Sequence, residues 1–139
     1  MGFLSNLFGG NKEDKALREA LGHIHRILDD ETFQLELVHP AMKAMLESAP
    51  AYDRDPNGTG PFGFTETNPI PVNGPIGQLA YLSRLETQSG QRILFHRLGA
   101  IGTVDVFEAV SFNGAEWFIL FVDLYHPRRS RLTPDGCRF

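Results

Sequence analysis

The sequence predicts an α+β fold in which N-terminal helices pack on a four-stranded, or slightly larger, antiparallel meander. Apolar residues recur at helical spacing near the N-terminus, and the C-terminal half carries apolar runs separated by short turns that contain glycine. An open sheet and a cone-shaped half-barrel both satisfy this pattern. With 139 residues, 42% of them hydrophobic, the chain is long enough to bury one core without disulfides.

The first ten residues, MGFLSNLFGG, form an apolar segment. Phe3, Leu4, Leu7 and Phe8 lie on one stripe if the segment is helical. Such a stripe predicts contact with a protein partner or a peripheral contact of residues 1–8 with a membrane. A membrane anchor would carry more basic residues on its other face. The segment is also explained by a frayed tail or by a short helix folded back on the domain, and these interpretations are favoured over an external contact.

Residues 11–49 are predicted to be helical. Leu17, Leu21, Ile24 and Leu28 recur at helical spacing, and Asp30 can cap the element that follows. Residues 31–38 alternate as a strand does, yet they also fit a helix, which is favoured. A break is predicted at His39–Pro40, because proline suits the first position of a new helix.

Residues 50–77 are rich in proline and glycine, but they also carry apolar side chains that a linker would lack. The sequence predicts an ordered, extended segment in which the prolines block further strand pairing. It would serve either as a lid over a pocket or as the cover of a sheet edge. Covering the edge is favoured.

Residues 78–126 predict an antiparallel meander whose strands contain the sequences QLAYLSRLE, RILFHRLG, TVDVFEAVSF and EWFILFVDLY. Asn113–Gly114 is a strong hairpin signal, and a two-residue turn there places Glu108 opposite Ile119 and Asp123 opposite Val104. Glu108 and Asp123 are then about 13 Å apart along the ladder, too far for a paired-carboxylate mechanism. The last strand is apolar on both faces, which predicts an interior strand covered on both sides.

Ser83 and His96 are the strongest catalytic candidates. A turn at Ser89–Gly90 would place them opposite each other, as a nucleophile and its base. A cross-strand hydrogen bond is the simpler interpretation, since no nucleophile elbow accompanies the serine. If the chain is an enzyme of hydrolase or isomerase type, its pocket is predicted to use Ser83, His96, Asp123, Tyr125 and His126.

Residues 127–139 form a basic C-terminal loop. The first 83 residues carry a net charge of −5, whereas residues 84–139 carry seven arginines against six acids. Arg128, Arg129 and Arg131, with Arg97 on a nearby strand, predict an anion clamp, because guanidinium groups bind carboxylate and phosphate in pairs of hydrogen bonds. Acids of the first half are the alternative partners, and this internal pairing is favoured.

Several kinds of site are disfavoured. Cys137 is the single cysteine, no spacing of histidines or acids fits a metal, and no glycine-rich phosphate loop occurs. We therefore expect no metal and no cofactor, and a reducing cytoplasm as the location. Helices followed by a curved meander are similar to cone-shaped barrels of the nuclear-transport-factor-like kind; no motif accompanies the likeness, so it implies architecture alone.

The combined observations favour a small binding or adaptor domain without catalytic machinery. Its contacts would be the apolar N-terminal stripe and the arginine-rich loop. A small-molecule pocket around His96 and Asp123 is the first alternative. Nucleic-acid binding is the weakest, because no aromatic RNA-binding motif accompanies the arginines. The oligomeric state is left open.

Overall fold

A computed structural model describes residues 12–139 and shows an α+β architecture. The predicted apolar stripe of Phe3, Leu4, Leu7 and Phe8 lies outside the described residues. Within residues 12–139, no helix combines the length and the apolar character that crossing a membrane requires.

Residues 12–139 contain four helices: α1 Lys12–Asp29, α2 Glu31–Glu36, α3 Pro40–Ser48 and α4 Gly74–Arg84. Asp30 caps α2, because its Oδ1 accepts a hydrogen bond of 3.0 Å from the backbone N–H of Phe33. Pro40 opens α3, where its missing N–H has no partner to lose. The helical interpretation of residues 31–38 and the break at His39–Pro40 are therefore confirmed.

In the described part of the chain, six strands form two sheets: β1 Ile70–Pro71, β2 Glu86–Thr87, β3 Ile93–Ile101, β4 Val104–Ser111, β5 Trp117–Asp123 and β6 Cys137–Arg138. The larger sheet has the order β1-β5-β4-β3, and β2 pairs with β6 in a separate ribbon. Since β1 runs parallel to β5, the larger sheet is mixed, and the prediction of a purely antiparallel meander is wrong. The predicted half-barrel curvature stays a prediction.

The strand predicted over residues 78–86 is wrong, because most of this stretch is α4. Its buried residues, Gln78, Tyr81, Leu82 and Leu85, follow a helical spacing that faces the sheet. Pro75 lies in the first turn of the helix, where proline is tolerated. The small, polar and apolar side chains of this stretch also fit the alternating pattern of a strand, and the wrong prediction followed from that pattern.

The register predicted for the Asn113–Gly114 hairpin is confirmed. Glu108 pairs with Ile119, and Val104 pairs with Asp123. Strand β5 lies between β1 and β4, so its interior position is also correct. Its two faces differ, however, because Leu120 is fully buried while Trp117 is 61% exposed. Cover on both sides was therefore an overestimate.

The core lies between α4 and the inner face of the larger sheet. It contains Ile70, Val72, Tyr81, Leu82, Leu85, Ile93, Phe107, Ala109, Leu120, Val122 and Cys137. The proline-rich segment contributes to it through Phe62 and Phe64, which pack against these residues. Its strand β1 pairs along β5, and Gly63 accepts a hydrogen bond from Phe121 of the same strand. This segment covers the edge of β5.

Candidate functional site

One carboxylate, that of Asp53, contacts two residues of the basic loop after β5. Asp53 accepts a hydrogen bond of 2.7 Å from the guanidinium of Arg128 and one of 2.9 Å from the backbone N–H of Arg131. These hydrogen bonds lower the pKa of Asp53 below its ordinary value. Arg128 is thus engaged internally, by an acid of the first half of the chain.

Arg129 is also tied to the helical half. Its Nη1 donates to the carbonyl oxygen of Leu28 at 2.9 Å, and its Nε lies 3.6 Å from a carboxylate oxygen of Glu31. The side chain is 16% exposed. The contact fixes the direction of the guanidinium, and the group keeps further N–H donors because arginine carries five.

A cleft of about 680 Å³ opens beside these contacts, between the α1–α2 junction, the end of α4 and the C-terminal residues. We call it the arginine cleft. It is lined by Asp29, Asp30, Glu31, Thr32, Tyr81, Arg84, Arg129, Ser130, Arg131 and Phe139.

Arg84 is one of the cleft residues that the sequence did not indicate. It ends α4 and forms an ion pair with Asp29. Burial, followed by the positive charges of Arg129 and Arg92, lowers the pKa of Arg84. Arginine remains protonated despite such a shift, so Arg84 keeps its positive charge in a partly buried position near two other arginines.

The ion pairs do not use every positive charge of this surface. Arg84 pairs with Asp29, Arg129 pairs with Glu31, and Asp30 pairs with Arg26 at 3.7 Å. Arg131 lines the cleft and forms no salt bridge among residues 12–139, although its charge acts on Asp53 at longer range. Nearby, the carboxylate of Glu86 pairs with two arginines, since its oxygens lie 3.3 Å from Nε of Arg92 and 3.3 Å from Nε of Arg138.

One wall of the arginine cleft is aromatic. The rings of Tyr81 and Phe139 meet edge to face with their centroids 5.2 Å apart. The hydroxyl of Tyr81 donates to the carbonyl oxygen of Leu132 at 2.7 Å. Burial raises the pKa of Tyr81 well above its ordinary value, so the phenol stays neutral. Tyr81 is fully buried while Phe139 is 53% exposed, so the exposed ring surface of the wall belongs to Phe139, and the wall adds no negative charge.

The predicted pair of Ser83 and His96 does not form. Ser83 lies on α4, and its carbonyl oxygen accepts a hydrogen bond of 2.5 Å from Arg92. His96 lies on β3 opposite Glu108. The cross-strand geometry that suggested a nucleophile and its base required residue 83 to be in a strand.

Asp123 and His126 do meet, at the end of β5. Nε2 of His126 lies 3.1 Å from Oδ2 of Asp123, and Nδ1 lies 2.9 Å from the carbonyl oxygen of Pro50. The ring of Tyr52 lies against the imidazole at 4.8 Å between centroids. Both ring nitrogens are engaged in a residue that is 5% exposed, so this contact joins segments of the fold.

Tyr125 contributes only its backbone to this contact in the described geometry, donating its N–H to Oδ1 of Asp123 at 3.1 Å. Arg97 lies on β3 and pairs with Asp105 at 3.1 Å. It does not line the arginine cleft. The candidate catalytic residues are therefore distributed over α4, β3 and the end of β5. Within residues 12–139, no group of three or more His, Cys, Asp or Glu side chains is placed to hold a metal.

Two of the arginines predicted from the loop sequence, Arg129 and Arg131, line the cleft. Arg84, Thr32 and Phe139 were missed. Recognition of α4 as a helix would have placed Arg84 in its last turn, beside the negative end of the helix dipole. No local signal connects Phe139 to the other residues.

Comparison with known proteins finds no matching family model, no similar curated protein and no similar solved structure.

Proposed function

We propose that this chain is a binding or adaptor domain, and that its arginine cleft receives an anionic group of the ligand or partner, a carboxylate or a phosphate. The observation that carries the proposal is Arg131, which lines the cleft and forms no salt bridge among the described residues; the negative charge of Asp53 acts on it only at longer range. An anion placed there gains a charge-assisted hydrogen bond without breaking an internal ion pair.

The neighbouring arginines support the proposal because their side chains are already ordered. Arg129 is held by Leu28 and Glu31, and Arg84 is held by Asp29. Binding to a fixed guanidinium loses less side-chain entropy than binding to a mobile one. Burial and, secondly, the charges of Arg129 and Arg92 lower the pKa of Arg84, and the second of these effects is relieved when an anion binds between the positive charges.

The aromatic wall narrows the class of ligand. Tyr81 and Phe139 lie beside the charged groups, and Phe139 is 53% exposed. A ligand that carries an aromatic or aliphatic group next to its anion can bury part of this ring surface. We therefore propose an aryl or alkyl carboxylate or phosphate, either as a small molecule or as a group presented by a partner protein.

Two further parts of the proposal concern the whole chain. The apolar stripe of Phe3, Leu4, Leu7 and Phe8 is a second contact for a protein partner or for a membrane surface. The cytoplasm is the proposed location, since the single cysteine, Cys137, is a buried thiol that suits a reducing compartment.

Titration of the isotope-labelled protein with phenyl phosphate and with benzoate, followed by NMR, tests the anion site. Neutral benzyl alcohol serves as the matched probe without charge. We expect both anions to shift the amide signals of Thr32, Arg84 and Arg131, and binding to weaken as the ionic strength rises to physiological values. Equal shifts by benzyl alcohol would contradict the proposal.

Variants then assign the effect to the cleft. Arg131→Gln should weaken binding of phenyl phosphate by about tenfold to a hundredfold, the loss expected for one charge-assisted hydrogen bond. Arg97→Gln is the matched control, because it removes an exposed arginine outside the cleft. Equal losses in the two variants would show that net charge alone is responsible.

A further inference from the structure

The outer face of the larger sheet carries a second, separate cavity. It has a volume of about 400 Å³ and shares no residue with the arginine cleft. It is lined by Leu94, Phe95, His96, Glu108, Ala109, Val110 and Trp117. Two of these side chains, Leu94 and Trp117, are 59% and 61% exposed. The register explains the grouping, because Leu94 and Trp117 both pair with Val110, from opposite sides.

Glu108 lies in the middle of this apolar surface. Its Oε1 accepts a hydrogen bond of 2.6 Å from the indole Nε1–H of Trp117. Its Oε2 lies 3.5 Å from Nε2 of His96. The indole proton therefore fixes the carboxylate, and it also fixes the orientation of the Trp117 ring beside it.

The charge of Glu108 is not balanced by a lysine or an arginine among residues 12–139. Its one ionisable partner there is His96, which is charged only when it is protonated. The arginine next to His96 along β3, Arg97, is engaged with Asp105. A half-buried carboxylate among leucine, valine and tryptophan side chains thus lacks a permanent cationic partner.

We propose that this cavity binds an organic cation with apolar substituents, of the trimethylammonium class. The carboxylate of Glu108 supplies the opposite charge, the exposed indole of Trp117 supplies a cation–π surface, and Leu94 and Val110 contact the methyl groups. Such a cation is weakly hydrated, so it loses little on entering a partly apolar site. A methylated lysine of a partner protein and a small quaternary amine share this chemistry.

Trp117 provides a direct readout, because it is the chain's single tryptophan. We expect choline to change its fluorescence in a saturable manner, at an ionic strength held constant with sodium chloride. The neutral isostere 3,3-dimethylbutan-1-ol is the matched probe and should have little effect. Equal saturable binding of the alcohol would overturn the proposal, since it would show that the cavity recognises methyl groups without charge.

Variants separate the charge from the fold. Glu108→Gln keeps an acceptor for the indole proton but removes the charge, and should weaken choline binding by about fivefold, as expected for loss of a partly exposed ion contact. Asp105→Asn is the control, a carboxylate of the same strand on the other face. His96→Lys places an internal ammonium beside Glu108 and should abolish the fluorescence response.

A last comparison distinguishes the two sources of the cation. A short peptide that carries trimethyllysine is titrated against the same peptide with leucine at that position. Tighter binding of the trimethyllysine peptide than of choline assigns the site to a partner protein, and the reverse assigns it to a small amine. If neither choline nor the trimethyllysine peptide changes the fluorescence, or if Glu108→Gln binds as the wild type does, the proposal is wrong.

Discussion

The imidazole of His126 is hydrogen-bonded to the carboxylate of Asp123, with Nε2 at 3.1 Å from Oδ2. Its other nitrogen faces the carbonyl oxygen of Pro50 at 2.9 Å. Two acceptors around one ring favour the doubly protonated imidazolium, which can donate to both. The contact joins the end of β5 to the start of the proline-rich segment, so its protonation state bears on the stability of the fold.

Stability should therefore fall as the pH rises from about 6.5. Burial alone would lower the pKa of His126, but the hydrogen bonds to Asp123 and Pro50, with the negative charges of Asp123 and Asp55, raise it above 6.5. Because the folded-state pKa is the higher one, this contribution is complete below about pH 6.5 and is lost as the pH passes through the raised value. Urea denaturation across this range measures the loss.

The variant His126→Gln identifies the group responsible. Glutamine cannot be protonated, so the decline in stability over the same pH range should be smaller in the variant than in the wild type. The other histidines are present in both proteins and cancel in the comparison. Parallel stability curves for the two proteins would refute the assignment to His126.

A buried amide chain joins the helical half to the start of α4. The Nδ2 of Asn73 donates to Oε1 of Gln34 at 2.8 Å, and the Nε2 of Gln34 donates to the carbonyl oxygen of Ile27 at 2.7 Å. Gln34→Leu keeps the volume but leaves both partners unsatisfied, and we expect it to lower the free energy of unfolding by about 1–3 kcal/mol. Gln88→Leu, at an exposed position where it loses one hydrogen bond to the carbonyl oxygen of Cys137, should lower it by less. A loss as small in Gln34→Leu would contradict this role.

Much of the fold is predictable where local chemistry decides the structure. Asn113–Gly114 predicts the β4–β5 register because the turn determines which residues face each other. Asp30 predicts the start of α2 because its side chain caps the helix directly. Both features depend on residues close in sequence.

The prediction of α4 is wrong because residues 78–85 satisfy both a helical and a strand pattern. Packing of Tyr81 and Leu82 against the sheet decides between helix and strand. This contact joins residues far apart in sequence, so a short stretch of sequence does not predict it. For the same reason the arginine cleft was not predicted. Arg84 lies near Arg129 because it ends a helix, whereas the sequence pattern placed it in a strand. The predicted β4–β5 register already placed Glu108 and Trp117 on the same face of the sheet. Their contact was not predicted, because both faces of β5 were expected to be covered.

Cys137 should react slowly with thiol reagents in the folded protein. Burial, and secondly the charge of Glu116, raise the pKa of its thiol to about 11 from 9.0. About 100-fold fewer molecules then carry the reactive thiolate near pH 8, in addition to the steric cover. Titration with a chromogenic disulfide measures the rate, which should rise in denaturant. A double variant, Cys137→Ser with Gln88→Cys, provides an exposed thiol as the fast control; equal rates would contradict the prediction.

Two helical glycines should respond in opposite directions to the same substitution. A Cβ on Gly77 in α4 would lie 2.0 Å from Oδ1 of Asn73, whereas a Cβ on Gly22 in α1 would have nothing within 4 Å. Alanine is favoured over glycine inside a helix by about 1 kcal/mol. Gly22→Ala should therefore raise the free energy of unfolding by about that amount. In Gly77→Ala the same gain is offset by displacement of Asn73, which is fully buried and bonded to Gln34, so the net effect should be destabilising. Chemical denaturation of both variants measures the two signs, and stabilisation by Gly77→Ala would show that Asn73 does not require the space beside that helix.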